Sequence, residues 1–337
     1  MRNILKRSQY LLICSAAGLL LLSVASATPA GEFHVRNGVL QRDGSAVTLR
    51  GVNAMHVFGG DSSEMRTWPG IGIVREFVGN LRDAPLEPRT AFHDEANGNW
   101  LHSLQDVVSK NTANGMVTIL CPFGWDGTRN TVFSGATPSS VAYYSDYKKR
   151  MQDWVKQFQG QRNVWIELWN EPFSGRASTG VDARWLSDTG DMADNLRGAG
   201  WDGIIVVPGA SWGQDETVIE RQGAALTSKR GDIVFDVHIY EQWLGKPATI
   251  EPRLRKLRSS RLPVVFGEIG PHNNVNVMDP APFLAAAKAT EQSSVIAWIW
   301  SRGEKEPNSL LTRDGQPNDI GNFGWASTYR AFLAEPH

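Results

Sequence analysis

With 337 residues, 41% of them hydrophobic, and a formal net charge of −1, the chain has apolar mass for a large core. It has no basic excess that would suit a nucleic-acid surface, and no block of like charge that would mark a disordered tail. The first segment reads as a targeting sequence. Arg2, Lys6 and Arg7 form a basic region, residues 11–24 are apolar, and Ala25-Ser26-Ala27 supplies a small-x-small cleavage site. Residues 1–27 are therefore expected to be a signal peptide, leaving residues 28–337 as one exported domain, with no membrane association after cleavage. A retained anchor fits less well, because the apolar core is short and its exit carries a cleavage signature. Cys14 follows Ile13 inside the apolar stretch, which argues against a lipoprotein. Cleavage would leave Cys121 alone, so stability must come from the core rather than a disulfide.

Residues 32–45, with a turn at Arg42-Asp43-Gly44, are expected to form a small β-hairpin closing a barrel bottom. Eight strands then follow, at 47–52, 71–77, 116–120, 164–169, 203–207, 233–238, 263–267 and 295–300. Each is short and rich in Val, Ile and Leu, as strands buried on both faces should be. Helices alternate with them. The first crossover, 61–69, has the least regular pattern. Trp100, Leu104, Val107 and Val108 keep helical spacing before a stop at Asn114-Gly115. Thr137-Pro138 reads as an N-cap with proline at the first helical position, ahead of the stripe Met151, Trp154, Val155, Phe158. Further helices fit a segment containing Trp185, Leu186, Met192, Ala193 and Leu196, and the regions 216–227, 248–259, 281–291 and 324–334. Strict alternation of this kind predicts an α/β fold, a single-domain (β/α)8 TIM barrel. The segments after strands (53–70, 121–138, 170–182, 269–280, 301–322) are long. Those leading back into strands (159–163, 261–262, 292–294) are short, which places the functional face on the long loops.

Two strands end in a carboxylate. The run Val-Trp-Ile-Glu-Leu-Trp stops at Asn170-Glu171-Pro172, because proline cannot continue a ladder, and Leu262-Pro-Val-Val-Phe-Gly runs into Glu268. Two carboxylates on rigid strand tips are what glycoside hydrolysis needs, one to protonate a leaving oxygen and one to attack the sugar carbon. Glu167 is not the near partner of Glu171: four strand residues put the Cα atoms about 13 Å apart. It is expected inside the barrel with a basic partner, Glu241 on the loop rim and Asp126 in a loop. The histidines show no metal-ligand spacing, and neither a nucleophile elbow nor a phosphate loop occurs, so no metal and no cofactor are expected. Trp125, Trp212, Trp243 and Trp300 follow strand ends and are candidate stacking platforms for sugar rings.

These residues, in this order, resemble glycoside hydrolase family 5, the cellulase and mannanase family of clan A, over essentially the whole mature chain. Arg50-Gly-Val-Asn53 resembles the first-strand signature and Arg75 the second-strand arginine that holds the nucleophile. Asn170-Glu171-Pro172 resembles the fourth-strand acid/base motif, with Asn170 the contact to the sugar 2-hydroxyl. His238 and Tyr240 resemble the sixth-strand pair, Glu268 the seventh-strand nucleophile and Trp300 the eighth-strand stacking tryptophan. The third-strand exit, Cys121-Pro-Phe-Gly-Trp125, departs from the pattern, since many members carry histidine there. The resemblance implies a monomeric, secreted, retaining β-glycosidase of polysaccharide, with Glu171 as acid/base and Glu268 as nucleophile. The first expectation is an endo-β-1,4-glucanase. An endo-β-1,4-mannanase is the alternative, because Phe33-His-Val and Val237-His-Ile-Tyr240 look mannanase-like. A non-catalytic carbohydrate-binding barrel is the reading of a different class.

Overall fold

The computed structural model describes residues 31–88, 102–126, 133–176 and 178–336. The expected signal peptide, its cleavage site and Trp100 lie outside the described residues. Three short antiparallel strands come first: β1 (Phe33–Arg36), β2 (Val39–Arg42) and β3 (Ser45–Ala46). The expected turn at Asp43-Gly44 joins β2 to β3, with both residues at positive φ (52° and 81°). A second tight turn, Asn37-Gly38 (φ 53° and 76°), joins β1 to β2 and was not anticipated. Both suit two-residue hairpins, which need left-handed central residues.

Eight parallel strands close into a barrel. They are β4 (Arg50–Ala54), β5 (Ile71–Val78), β6 (Val117–Pro122), β7 (Val164–Glu167), β8 (Ile205–Pro208), β9 (Ile233–Ile239), β10 (Val264–Ile269) and, after a small hairpin of β11 (His272–Asn273) and β12 (Asn276–Val277), β13 (Val295–Ala297). Neighbours run β4 to β10 in chain order, and β13 bridges β10 and β4. The closing seam is held from outside. The Tyr329 hydroxyl lies 2.6 Å from the Gly51 carbonyl and 2.8 Å from that of Val295, spanning β4 and β13. Arg50 donates to the Phe332 and Glu335 carbonyls and stacks on the Phe332 ring.

The outer layer consists of α1 (Leu104–Ala113), α2 (Tyr144–Phe158), α3 (Thr179–Gly198), α4 (Thr217–Arg230), α5 (Pro247–Ser259), α6 (Ala281–Ala289) and α7 (Trp325–Ala334). Two helix expectations need correction. The first crossover holds only single 3-10 turns, His56–Phe58 and Glu64–Thr67. Pro138 opens a 3-10 turn, Pro138–Ser140, and α2 begins only at Tyr144, with Tyr147, Met151, Trp154, Val155 and Phe158 on its buried stripe. Among the described residues no helix is long and apolar enough to cross a membrane.

The apolar core has two compartments. One lies between barrel and helices; the other fills the lower barrel with Ile73, Val117, Ile119, Trp165, Val206, Val234, Val265 and Ile296. Phe33 and Leu40 of the ribbon join the inner group, with Phe33 edge-on to Trp165 at 5.4 Å, so the ribbon plugs the barrel bottom as expected.

Candidate active site

Side chains alternate along a strand, so residues two apart share a face. Inside the barrel this carries three of the strands from apolar to polar as they rise. Ile73 gives way to Arg75, Trp165 to Glu167, and Val234 to Asp236 and then His238. The result is a buried charged layer above the apolar plug.

Arg75 organises it. Its guanidinium is fully buried and forks onto Glu167, with Nε and Nη2 each donating at 2.7 Å. Nη2 also donates to Asn170 Oδ1 (2.8 Å), while Nη1 donates to Glu268 Oε1 (2.9 Å) and Asn53 Oδ1 (3.1 Å). Glu167 therefore sits where expected, inside the barrel with a basic partner. Burial pushes its carboxyl up to about 7, against the opposing pull of Arg75. Asn53 donates to the carbonyls of Gly267 (2.8 Å) and Ala297 (3.1 Å), fixing the strand that carries Glu268.

Glu268 is buried, and its second oxygen accepts from the Tyr240 hydroxyl at 2.9 Å. Burial raises its carboxyl; His238 and Arg75 pull it down, and the Glu171 charge adds to the rise. Glu171 is more open, its side chain 24% exposed against 6% for Glu268. Its backbone is braced by the loop after β6, because Gly135 N–H donates to the Glu171 carbonyl at 2.7 Å. His238 bridges the two carboxylates: Nδ1 lies 2.9 Å from Glu171 Oε1 and Nε2 3.7 Å from Glu268 Oε1. Oxygens of Glu171 and Glu268 and a ring nitrogen of His238 all lie within 4.8 Å of one another. That approach belongs to the close carboxylate pairs of retaining glycosidases, about 5–5.5 Å apart, rather than to the wider inverting pairs.

Glu171, His238 and Glu268, and likewise Glu167, Asp236 and His238, have the spacing to hold a cation. Positive charge is already supplied among them by Arg75, through its contacts to Glu167 and Glu268.

The chain matches the model of the cellulase family, glycosyl hydrolase family 5, over residues 70–305. It belongs to that family. Mannan endo-1,4-beta-mannosidases are among its similar proteins. That of Cellvibrio japonicus (strain Ueda107) is 25% identical over 88% of this chain and 64% of its own length. That of Streptomyces lividans is 27% identical over 88% of this chain and 73% of its own. The chain thus spans less than two thirds of the first of these relatives. Among solved structures, the β-mannanase of Thermomonospora fusca superposes with a TM-score of 0.67 at 21% identity, covering 91% of this chain and 98% of that one. It has also been solved with mannotriose.

Not every expected residue of this family 5 chain reaches the mouth. Trp300 is buried edge-on to Trp68, with ring centroids 5.3 Å apart, in the layer between barrel and helices. The half-buried indole beside the site is instead Trp298, edge-on to Phe77, which itself lies under the Arg75 guanidinium. The strand ends at Ala297 rather than at 300 as expected, so Trp300 lies beyond it and not at its tip. Trp243 is also corrected. A 3-10 turn, Glu241–Trp243, swings its ring onto Phe266 and Phe283, and its N–H donates to the Gln214 carbonyl. Trp125 is half-buried and stacked flat on Tyr143, which takes one of its faces. Trp212 is 39% exposed, beside Gly213, which packs on the His238 ring. Glu241 accepts from Gln214 and Asn273 at 2.8 Å each, a rim position as expected. At the third-strand exit, Cys121 is buried and Phe123 meets Phe77 edge-on, so this corner of the mouth is apolar where many members carry histidine. The sequence reading missed Asp236. Its spacing of two from His238 was the available signal.

Proposed function

We propose that this chain is an endo-β-1,4-mannanase that cleaves by double displacement with retention, Glu268 attacking and Glu171 serving as acid and then base. The observation that carries the mechanism is the approach of the two carboxylates within 4.8 Å at the tips of β7 and β10. Arg75 and Tyr240 each hold one oxygen of Glu268, which aims the carboxylate and offsets its burial. In the first step Glu268 bonds to the anomeric carbon while Glu171 gives its proton to the departing glycosidic oxygen. In the second, Glu171 takes a proton from water as that water displaces Glu268. Asn170, held by Arg75, would meet the sugar 2-hydroxyl, and Trp298 and Trp212 would meet ring faces.

The mannan reading rests on the mannosidases among the relatives, which support it over the β-1,4-glucan first expected from the sequence. We include export in the proposal, with a mature end at Thr28, on the strength of the leader's cleavage signature. Reducing-end release with product sizing on mannan, glucomannan, carboxymethylcellulose and xylan tests the substrate. The expected result is a ladder of short manno-oligosaccharides. Cleavage of the cellulose derivative with none of mannan would return the glucanase, and binding without cleavage of any polymer would leave a carbohydrate-binding barrel.

A further inference from the structure

Asp236 is fully buried on β9, two residues below His238, and substrate has no path to it. Its Oδ1 accepts from the Gly267 N–H at 2.6 Å, so the carboxylate is pinned to the strand that carries Glu268. Its Oδ2 makes no aligned hydrogen bond. It lies 3.3 Å from His238 Nε2, which likewise makes no aligned hydrogen bond, and 3.7 Å from Arg75 Nε. The packing around this contact leaves no slack. A Cβ at position 267 would stand 2.2–2.5 Å from the Asp236 carboxylate, so the residue before Glu268 has to be glycine. On the opposite side Gly213, at φ 75°, lies so close to the imidazole that a Cβ there would come within 2.9 Å of it. The His238 amide donates to the Gly213 carbonyl at 2.9 Å. The ring is thus clamped, with one nitrogen toward Asp236 and the other on Glu171.

We propose that Asp236 is a positioning residue for the acid/base: it holds the His238 ring as a doubly protonated imidazolium whose Nδ1–H is donated to Glu171. This rests on the reading of Glu171 as acid/base. The groups facing the ring are Glu171 and Glu167 from β7 and its exit, Asp236 from β9 and Glu268 from β10. Arg75 from β5 lies behind Asp236, and the loop after β8 brings Gly213 against the ring. Burial disfavours a charged ring here, but the carboxylates of Glu268 and Asp236 and the bond to Glu171 outweigh it, and the imidazolium is held well above its ordinary range. The consequence lies in the second half of the reaction. A cation on Nδ1 supports Glu171 as a carboxylate when it must take a proton from water, after Glu268 has been neutralised as an ester.

Two measurements test this. In wild-type protein with ¹⁵N-labelled histidine, the His238 resonances, assigned against His238→Gln, should show both ring nitrogens protonated at pH 7. An unprotonated nitrogen there would overturn the proposal, whatever any variant does. In Asp236→Asn the amide oxygen can still accept from Gly267, while the NH2 group faces Nε2 and favours a neutral ring that still donates from Nδ1. Glu171 then loses its nearest cation and its protonated form gains. The alkaline limb of kcat/KM should move up by about 1 pH unit, with KM near wild type. A folded Asp236→Asn enzyme with an unmoved limb would also overturn the proposal. Loss of the acid/base reading is a separate outcome, because it shows as failed azide rescue in Glu171→Ala and leaves the ionisation of His238 untouched.

Discussion

The two ends of the barrel are built from the same strands and do opposite work. The lower end is a plug of Phe33, Ile73, Ile119, Trp165, Val206 and Ile296, and each such side chain contributes about 1.5–3 kcal/mol through burial. The upper end places Glu167, Asp236, His238, Glu268 and Arg75 in the same dry interior, where each unpaired charge costs several kcal/mol. On β5 the change takes one step of the inner face, from Ile73 to Arg75, and on β7 from Trp165 to Glu167. The plug supplies the stability that lets the site above hold five ionisable groups in fixed geometry.

The largest expected effects come from breaking one member of each end. Trp165→Ala should lower stability by about 3–5 kcal/mol through the cavity it leaves, while the pH limbs of kcat/KM stay in place. Arg75→Ala should cost a similar amount, about 3–5 kcal/mol, because it strands Glu167 and Glu268 without their partner. Only the second should also move the acidic limb of kcat/KM upward, since Glu268 loses the cation that favours its ionised form. Chemical denaturation paired with pH–rate profiles checks both. Equal limb shifts in the two variants would erase the distinction between plug and site.

A smaller effect concerns stability against pH. Glu167 is held up at about 7 in the folded state, above its ordinary 4.5, so between these values the folded protein binds more protons than the unfolded chain. Its contribution therefore falls as pH rises through that window, by about 3 kcal/mol in all. His238, raised above 6.5, adds a loss of the same sign at higher pH. Asp236 and Glu76 are depressed: burial opposes their charge, but His238 and His56 respectively overcome it. Their contributions are lost as pH falls below the ordinary carboxylate range. Thermal melts from pH 4.5 to 7 should show the decline. Glu167→Gln should flatten it, whereas Trp165→Ala should displace the whole curve without changing its slope.

Much of this was legible in the sequence because the signals were local. Eight apolar runs marked the strands, and Pro172 fixed the end of the one bearing Glu171. The order of Arg75, Asn170, Glu171, His238, Tyr240 and Glu268 matched one family, and the structure brings all six together. What stayed hidden depends on where regular alternation stops. Trp298 and Trp300 are two apart but lie beyond Ala297, so spacing could not say which one faces the mouth. Trp243 follows a strand end like Trp212, yet a 3-10 turn buries it. Asp236 reads as an unremarkable strand residue until His238 is placed, because only the closed barrel shows that its inner face is dry.

The smallest effect separates those two tryptophans. If Trp212 offers its exposed face to a sugar ring, Trp212→Ala should raise KM roughly 2–10-fold, the equivalent of about 0.5–1.5 kcal/mol. Trp243→Ala should leave KM alone and lower the melting temperature, because its ring packs on Phe266, Phe283 and Arg253. The reverse pattern would exchange their roles.

In the proposed mechanism two carboxylates, Glu171 and Glu268, have different tasks on one sugar. Glu171→Ala, given an activated aryl β-mannoside, should still form the glycosyl-enzyme, because a good leaving group needs little protonation. It should then stall for want of a base to activate water, giving a burst. Azide needs no base, so it should restore turnover, and the product should be the β-mannosyl azide. An α-azide from Glu171→Ala would exchange the roles of Glu171 and Glu268, and undiminished hydrolysis by Glu171→Ala without azide would contradict the mechanism outright.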